Sequence, residues 1–525
     1  MSSKKSKIAS GSIIILIGSF VFRIGGFIYR FIMSRLLDTA GYGILGLTLP
    51  FQNLLTITAN GGLPPAIAKY VAQYSAVEQD HMVRQIIITA LKIVAITGTI
   101  GAILMFILAG YIALDWWHKP EALLPLQIVA LMAPFSVIVG VFRGVFQGYY
   151  KMTNILITRA FEQVFTIVFA VALVVIGWYV AGAVVGTAIG FMASAVVSIY
   201  LFKTQIWGRL NQKHDYHSLR PNKDKTFTSR EELGIAVMLI KFSVPVVITG
   251  LAEMCLYDIG TIFIGVYMAS QYAGYYTNAS AIARLPLIIS TAVATSALPA
   301  TSEALSLRDG PLLQTYISQS YRYVGFFVVP MCTVTIIFAA PIIALLFGDA
   351  YTPGAGALQI FVTGMVFFTI YNISSSICQG LGRPFIPMVA LIVGTTIELI
   401  LSVLLIPSIG IEGAATGTTV AAFIIMVITL YGTFKLSRVN LPVSDFTRII
   451  MASFLMGVIL MLLPKTVGGF LLSIIAAPLL YAVFIVAVGG LKKDDMAVMY
   501  RFAGKFGPLA GILRKIIGSL ERFIR

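Results

Sequence analysis

Charged residues are scarce in this chain of 525 residues: Asp, Glu, Lys and Arg together make up only 11% of it. Soluble domains carry about 25% of these residues, so the composition excludes a soluble enzyme. No Walker A, HExxH or GxSxG sequence and no CxxC pair occurs, which argues against an ATPase, a zinc protease and a serine hydrolase. The three cysteines lie far apart in apolar segments and predict neither a disulfide framework nor a metal site: Cys255, Cys332 and Cys378.

The chain instead has many apolar runs of helix length, and 58% of its residues are hydrophobic. These runs lack the alternating pattern of a β-barrel, so we predict an all-α integral membrane protein. Fourteen spans are predicted near residues 11–35, 41–73, 84–112, 121–148, 153–178, 180–203, 235–266, 272–304, 316–346, 354–380, 385–407, 411–435, 446–464 and 467–490. The second and eighth spans are long and interrupted by proline, so both are expected to extend beyond the membrane.

Basic residues concentrate in loops of one parity. The formal net charge is +16, and Lys and Arg cluster at the N-terminus, in alternate loops and in the longest loop, 204–234. The positive-inside rule then places both termini and this loop on the cytoplasmic side of a plasma membrane. The remaining loops are short, so no external domain is predicted. The basic charge therefore indicates cytoplasmic loops rather than nucleic acid binding.

Short sequences recur in the two halves of the chain. AGY at 40–42 returns at 273–275, and GAVVGT at 182–187 is matched by GAATGT at 413–418. Two lobes of six helices with the same orientation are typical of transporters that bind substrate between the lobes and open to each side in turn. The predicted parts are an N-lobe (1–203), a cytoplasmic linker (204–234), a C-lobe (235–435), two further spans (436–490) and a basic amphipathic helix on the inner leaflet (491–525).

The first span is mostly apolar yet carries Arg23 and Arg30. At about 100° per residue, seven positions bring both side chains to nearly one face of a helix. An arginine at membrane depth costs about 2.5–3.5 kcal/mol on insertion scales, so it normally faces water or a partner. We predict that the two arginines line a water-filled central cavity and grip an anionic group, above all a phosphate. The alternative is that one or both pair with carboxylates on other helices.

Further charges lie within predicted spans of the second half. Arg284, in the eighth span, is expected to add a cation to the same cavity. Three carboxylates are candidates for ion coupling: Glu253, Asp258 and Glu398. A buried carboxylate exchanges a proton, or it holds a small hard cation such as sodium at Asp258 and Glu398. The alternative is that each carboxylate neutralises an arginine.

Two other charged positions predict structural roles. Arg159 and Glu162 stand three positions apart on one helix, a spacing that favours a local ion pair. Arg322 lies near the end of a span, so its side chain is expected to extend to the membrane interface.

Five stretches carry a family resemblance: LLDTAGYGILGL (36–47), NGGLPPAIAKY (60–70), FRGVFQGYYKM (142–152), AGYYTNASAIARLP (273–286) and CQGLGRP (378–384). They resemble the multidrug/oligosaccharidyl-lipid/polysaccharide (MOP) superfamily over about residues 10–490. Within it the chain is most similar to the polysaccharide-transport branch, which includes Wzx-type O-antigen flippases, SpoVB and, more distantly, lipid II flippases. The resemblance implies a V of two six-helix lobes that moves a polyprenyl-linked oligosaccharide from the inner to the outer leaflet.

The resemblance also implies roles for particular residues, carried over helix by helix. The helices that are thought to hold the pyrophosphate carry three arginines here: Arg23, Arg30 and Arg284. The residues that correspond to a sodium site of some relatives are Asp258, Glu398 and Thr418. The last two spans would form a groove for the lipid tail. No cofactor is expected beyond sodium or proton coupling, and the expected partners are a polyprenyl-linked sugar lipid, membrane lipids and envelope-synthesis proteins.

Three other functions stay open at this stage. A cation or drug antiporter of the MATE branch shares the superfamily, although carboxylates and aromatics would be expected to line its cavity. A membrane-embedded glycosyltransferase or polymerase would need a larger loop than the short outer ones. A non-catalytic scaffold for envelope assembly would act through the cytoplasmic tail.

Overall fold

The computed structural model describes residues 24–211, 228–439 and 443–491, and residue 511 singly. Arg23, the middle of the predicted linker and the predicted amphipathic helix at 491–525 lie outside these ranges, apart from Leu491 and Gly511. All regular structure in the described residues is helical. The chain divides into two compact units, the first from Met1–Asn278 and Thr395–Ala414 and the second from Ala279–Gly394 and Ala415–Arg525. The lobe boundaries inferred from the sequence repeat stay a prediction.

The helices of the first unit follow in chain order. They are α1 (24–36), α2 (Thr39–Asn60), α3 (Leu63–Ala76), α4 (Asp80–Gly110), α5 (Leu123–Gly148), α6 (Met152–Leu173), α7 (Tyr179–Phe202), the short α8 (Gly208–Asn211) and α9 (Ser229–Tyr267). Wider helical turns extend three of them, at Tyr111–Trp116, Val174–Trp178 and Lys203–Trp207.

The remaining helices belong wholly or partly to the second unit. They are α10 (Ser270–Ala283), α11 (Leu287–Ser306), α12 (Gly310–Ile337), α13 (Ala339–Phe347), α14 (Ala355–Gly380), α15 (Phe385–Ile409), α16 (Ile411–Ser437), α17 (Val443–Leu460) and α18 (Val467–Ala487). Of these, α10, α15 and α16 each run through residues of both units.

Ten helical segments of the described chain are long and apolar enough to cross a membrane, or eleven if the bent pair α10 and α11 forms one span. One of the ten runs over 56 residues, Met152–Trp207. At about 1.5 Å per residue, this length is more than twice what one crossing needs. Gly177, at φ 103°, breaks it into the predicted fifth and sixth spans. A multi-pass helical membrane protein is therefore confirmed, whereas the count of fourteen spans stays a prediction.

Small residues make α6 and α7 a tight antiparallel hairpin. A Cβ on Gly186 would collide with the backbone of Ala170, and one on Gly190 would collide with Thr166. Farther along, the Ser194 hydroxyl donates to the carbonyl oxygen of Thr158 at 3.1 Å. Because glycine has no side chain, the two backbones approach closely and no side-chain entropy is lost when the helices pack. This approach fixes the direction of the polar side chains on α6.

The predicted second span is broken where α2 passes into α3. Gly61 and Gly62 adopt φ angles of 55° and 64°, which residues with a Cβ rarely take. A Cβ on Gly62 would lie 2.6 Å from the Ser243 carbonyl oxygen of α9, so the break also needs glycine for space. Against it packs α5, whose Gly144 would place a Cβ only 2.7 Å from the Pro64 carbonyl oxygen.

Helix α9 lies along α2, α3 and α4 in the first unit. It begins with a capping box, in which Thr228 and Glu231 satisfy each other's backbone N–H groups. Near its start, Glu232 pairs with Lys92 at 2.5 Å. Near its end, the Gly265 carbonyl oxygen accepts a hydrogen bond from Lys119 at 2.6 Å. These contacts join the first six predicted spans to the seventh.

In the second unit, α12 is tied to α17 and to the end of α18 through a buried arginine. Arg322 is only 7% exposed, donates to the Gly490 carbonyl oxygen at 2.8 Å and lies 3.8 Å from the Asp445 carboxylate. The prediction that Arg322 extends to the interface is therefore wrong. The side chain stays buried because it meets the counter-charge of Asp445 and the carbonyl oxygen of Gly490, beyond the end of α18. Both residues lie more than a hundred positions away in sequence.

Candidate functional sites

The first helix packs against the α6–α7 hairpin through Gly25 and Tyr29. A Cβ on Gly25 would lie 2.5 Å from the Gln163 side chain, and the Tyr29 hydroxyl donates to the Ala183 carbonyl oxygen at 3.3 Å. Arg30 follows directly, is half-buried and lies within electrostatic range of Tyr42 on α2. Because Arg23 lies outside the described residues, the cationic face that the two arginines would share stays a prediction.

Arg284 lies in the second unit, at the break between α10 and α11. The bend there is 45°, and Pro286 follows two residues later. The Arg284 guanidinium lies 5.9 Å from the centre of the Phe361 ring on α14, a cation–π distance. The predicted eighth span is therefore interrupted at its arginine, as the proline in the sequence indicated.

The two acidic residues of α9 face different directions. Asp258 is 7% exposed and accepts a hydrogen bond from the Asn53 amide of α2 at 2.9 Å. Glu253 is exposed in the described chain. Five positions turn a helix by about 140°, which accounts for the difference. The Asp258 carboxylate is thus hydrogen-bonded to α2, whereas the Glu253 side chain is exposed.

Glu398 is fully buried in the α15 segment of the first unit. Both Glu398 and Asp258 lie within electrostatic range of Cys255, so the two carboxylates share one region. Thr395 donates to the Ala252 carbonyl oxygen at 3.1 Å and holds this segment against α9. The oxygen-rich set of side chains suits a hard cation such as sodium.

Thr418, the other residue implied for this ion site, is buried in the second unit. No group of three or more His, Cys, Asp or Glu side chains forms a metal site within the described ranges. Ion coupling through Asp258, Glu398 and Thr418 therefore stays a prediction.

The ion-pair partner of Glu162 lies on another helix. The Arg143 guanidinium of α5 lies 2.7 Å from the Glu162 carboxylate, with side-chain exposures of 19% and 10%. Arg159 lies within electrostatic range of both residues. The sequence spacing pointed to Arg159 as the partner of Glu162 and missed Arg143. The available signal was the RGVFQG stretch, which places an arginine inside an apolar span.

Arg143 and Arg159 line a cavity of about 510 Å³ in the first unit, which we term the arginine cavity. Its wall is built by α2, the α2–α3 break, α5, α6, α7 and α9. Residues that line it are Thr56, Asn60, Gly62, Gly140, Arg143, Gln147, Leu156, Arg159, Phe191 and Val247. Most of the wall is apolar, so charged groups in it interact strongly.

A second cavity of about 590 Å³ lies in the second unit, and we term it the apolar groove. It is bounded by the α10–α11 break, α12, α13, α17 and α18. Residues that line it include Ile282, Leu285, Phe326, Met331, Met456, Phe470, Ala477, Tyr481 and Ile485. Its wall of aliphatic and aromatic side chains suits a hydrocarbon chain. The two last helices contribute to it, as the sequence resemblance implied.

Comparison with known sequences now decides the family. The sequence profile described as polysaccharide biosynthesis protein matches residues 8–305, more than half of the chain. The chain belongs to this family. A second profile, MatE, matches residues 245–404. Together the two profiles confirm the predicted place of this chain in the MOP superfamily.

Individual relatives agree with this family. Stage V sporulation protein B of Bacillus subtilis is 24% identical, and the match covers 84% of this chain and 85% of that protein. Lipid II flippase MurJ of Bacillus subtilis is 22% identical, over 92% of this chain and 91% of the relative.

Solved structures of two other proteins share the fold of this chain. Lipid II flippase MurJ in an inward closed conformation matches with a TM-score of 0.72 at 17% identity, covering 90% of this chain and 98% of that one. An inward-facing MATE multidrug transporter matches with a TM-score of 0.65 at 17% identity, covering 79% and 95%. These matches confirm the fold that the MOP resemblance implied.

Proposed function

We propose that this protein is a flippase that moves a polyprenyl-(pyro)phosphate-linked oligosaccharide, or a similar envelope precursor, from the inner to the outer leaflet. The observation that most directly supports this proposal is the break between α10 and α11. It carries Arg284, whose guanidinium lies 5.9 Å from the centre of the Phe361 ring. Its Ile282 and Leu285 side chains line the apolar groove. A lipid with an anionic head and a long hydrocarbon tail needs a cation and an apolar wall in such proximity.

The residues divide the substrate between them. Arg284 in the second unit binds phosphate oxygens of the substrate, and so do Arg30 and Arg23 in the first unit, because a guanidinium donates two parallel hydrogen bonds to phosphate oxygens. The apolar groove holds the tail during the movement of the head. The protein lies in the plasma membrane with both termini in the cytoplasm, as the distribution of basic loops favours. The names of its relatives, a lipid II flippase among them, support this substrate class.

Ion coupling forms a further part of the proposal. Asp258 and Glu398 exchange sodium or protons, and the hydrogen bond from Asn53 to Asp258 is broken when a cation takes its place. This replacement would link the ionic state of α9 to its contact with α2. Sodium dependence of flipping, lost in Asp258→Asn, tests this part separately.

A MATE-type cation antiporter is the second candidate. The MatE profile over residues 245–404 and the buried carboxylates of Asp258 and Glu398 favour it. Arginines in the arginine cavity and at the α10–α11 break favour an anionic substrate instead. Accumulation of a cationic dye in cells that lack the protein would support the antiporter.

Two remaining candidates have no specific observation in their favour. Neither a glycosyltransferase or polymerase nor an assembly scaffold accounts for a cation beside a hydrocarbon groove.

Flipping of a fluorescent polyprenyl-diphosphate-linked sugar in proteoliposomes tests the proposal. We expect wild-type protein to flip the lipid and Arg284→Ala to slow it about tenfold or more, because a charge-assisted hydrogen bond contributes about 1.5–3 kcal/mol. Arg383→Ala is the matched control, since Arg383 is exposed and does not line the apolar groove. Equal rates for all three proteins, or no flipping by the wild type, would contradict the proposal.

A further inference from the structure

The arginine cavity has a guanidinium that is held rigidly on its wall. Arg143 donates to the Thr158 hydroxyl at 3.1 Å, to the Glu162 carboxylate at 2.7 Å and to the Ser194 hydroxyl at 3.3 Å. These three acceptors come from α6 and α7, which the glycine contacts of the hairpin hold in place. A planar cation fixed in this way is preorganised, so little entropy is lost when an anion binds to its remaining edge.

The charge of the cavity wall is of one sign. Arg143 and Arg159 line the cavity, and its described lining contains no carboxylate. Glu162 lies outside that lining and binds Arg143 from α6. The cluster of two arginines and one glutamate therefore carries one excess positive charge, and most of the surrounding wall is apolar. Low-dielectric surroundings strengthen the attraction of such a charge for an anion.

Neutral polar groups stand beside the two arginines. The Asn60 side-chain oxygen is buried and has no hydrogen-bond partner among the described residues. Gln147, from the RGVFQG stretch, lines the same cavity and is exposed. Both amides offer hydrogen bonds of the kind that sugar hydroxyls use. The volume of about 510 Å³ falls in the ~300–1,000 Å³ range of small-molecule sites.

The position of the cavity along the helices indicates the side of the membrane on which it lies. It extends along the last turns of α5 and the first turns of α6, on either side of the loop at residues 149–151. The positive-inside rule places this loop on the cytoplasmic side in the proposed orientation. The substrate of the proposed function enters from that side.

We infer that the arginine cavity is a phosphate-binding site for the head of the substrate, separate from Arg284. It takes a diphosphate on Arg143 and Arg159 and the adjoining sugar on Asn60 and Gln147. This inference rests on the proposed function for the identity of the substrate, whereas the anion chemistry rests on the cavity alone. Either a lipid-linked or a free diphosphate satisfies that chemistry.

Binding to full-length purified protein in nanodiscs tests the site with two probes, farnesyl diphosphate and inorganic diphosphate. We expect wild-type protein to bind at least one probe and Arg159→Gln to bind it at least tenfold more weakly. Arg159→Lys should lose less, because it keeps the charge. Arg383→Gln, which removes an exposed arginine, should bind as the wild type does.

A second variant guards against a folding defect in Arg159→Gln. Leu156→Trp fills the cavity without removing a charge, and we expect the same loss of binding with an unchanged melting temperature. Binding of farnesyl diphosphate alone would identify the lipid-linked source, and binding of inorganic diphosphate would identify the free anion. Both results support a phosphate site.

Two results would overturn the inference: no binding of either probe by wild-type protein, or equal binding by wild type, Arg159→Gln and Leu156→Trp. Flipping in proteoliposomes separates this failure from that of the proposed function. Flipping that depends on Arg284 but not on Arg159 removes the arginine cavity and keeps the flippase. Arg159-dependent binding of inorganic diphosphate without flipping keeps the site and removes the flippase.

Discussion

The two units contain cavities of similar size and opposite chemistry. The arginine cavity of the first unit measures about 510 Å³ and has two guanidinium groups on its wall. The apolar groove of the second unit measures about 590 Å³ and is lined almost wholly by aliphatic and aromatic side chains. A transporter of small hydrophilic solutes has no use for the groove, and a carrier of simple lipids has no use for the arginines. The proposed amphiphilic substrate has an anionic group that suits the arginines and a hydrocarbon chain that suits the groove.

Charges also have different roles in the two units. Arg322 and Asp445 of the second unit are both buried and hold α12 to α17. Arg30 and Arg159 of the first unit are only half-buried. The comparison therefore sets a buried ion pair against cations that we propose to bind the substrate, and four changes test it.

Removing the structural pair should have the largest effect. Asp445→Ala leaves Arg322 buried without its carboxylate, and breaking a buried pair costs about 3–5 kcal/mol. We expect a clear fall in the melting temperature of the purified protein, measured by the loss of helical circular dichroism. Glu303→Ala, which removes an exposed carboxylate of the same unit, should melt as the wild type does. Equal melting of all three would mean that the pair does not hold α12.

Placing a charge in the apolar groove should have the next largest effect. Ala477→Asp adds a carboxylate where a hydrocarbon tail is proposed, at a cost of about 2.5–3.5 kcal/mol for a charge at membrane depth. We expect about a hundredfold weaker binding of a polyprenyl diphosphate by native mass spectrometry. Ala477→Val keeps the groove apolar and serves as the control. Unchanged binding by Ala477→Asp would place the tail elsewhere.

Arg30→Ala tests a ligand-binding cation in the first unit. Loss of a charge-assisted hydrogen bond to phosphate, worth about 1.5–3 kcal/mol, should slow flipping about tenfold to a hundredfold. The amount in the membrane and the melting temperature should stay near those of the wild type, because the side chain is only half-buried. A large fall in melting temperature with normal flipping would show a structural ion pair instead.

Lys119 gives the smallest effect, a dependence on pH. Burial lowers the pKa of Lys119, which lies between two membrane segments and donates to the Gly265 carbonyl oxygen. Charging this amine therefore costs the folded state, and the cost disappears as the pH rises from the lowered pKa toward the unfolded value of about 10.4. Wild type should gain melting temperature relative to Lys119→Met as the pH rises toward about 10.4. A constant difference would contradict the lowered pKa.

Local sequence signals predicted much of the fold. Helix-length apolar runs gave the membrane segments, and the prolines of the second and eighth spans indicated breaks near Gly61–Gly62 and at Arg284. Helix geometry accounts for the different directions of Glu253 and Asp258, since five positions turn a helix by about 140°. These features depend on neighbouring residues, so one sequence contains them.

Long-range pairings were not predictable in the same way. Spacing suggested Arg159 for Glu162, but packing of α5 against the α6–α7 hairpin brings Arg143 to that carboxylate. Arg322 meets Asp445 and Gly490 from distant helices. The arginine cavity escaped prediction for the same reason, since five separate helices build its wall.

The measurement that tests the central claim most directly is binding of a polyprenyl-diphosphate lipid by native mass spectrometry. Wild-type protein is compared with an Arg23→Ala/Arg30→Ala variant. We predict selective binding by the wild type that the double change weakens at least tenfold, which would place the pyrophosphate on the first helix, with the arginine cavity accounting for any binding that remains. No binding by either protein, or equal binding by both, would contradict the account and favour a cation antiporter.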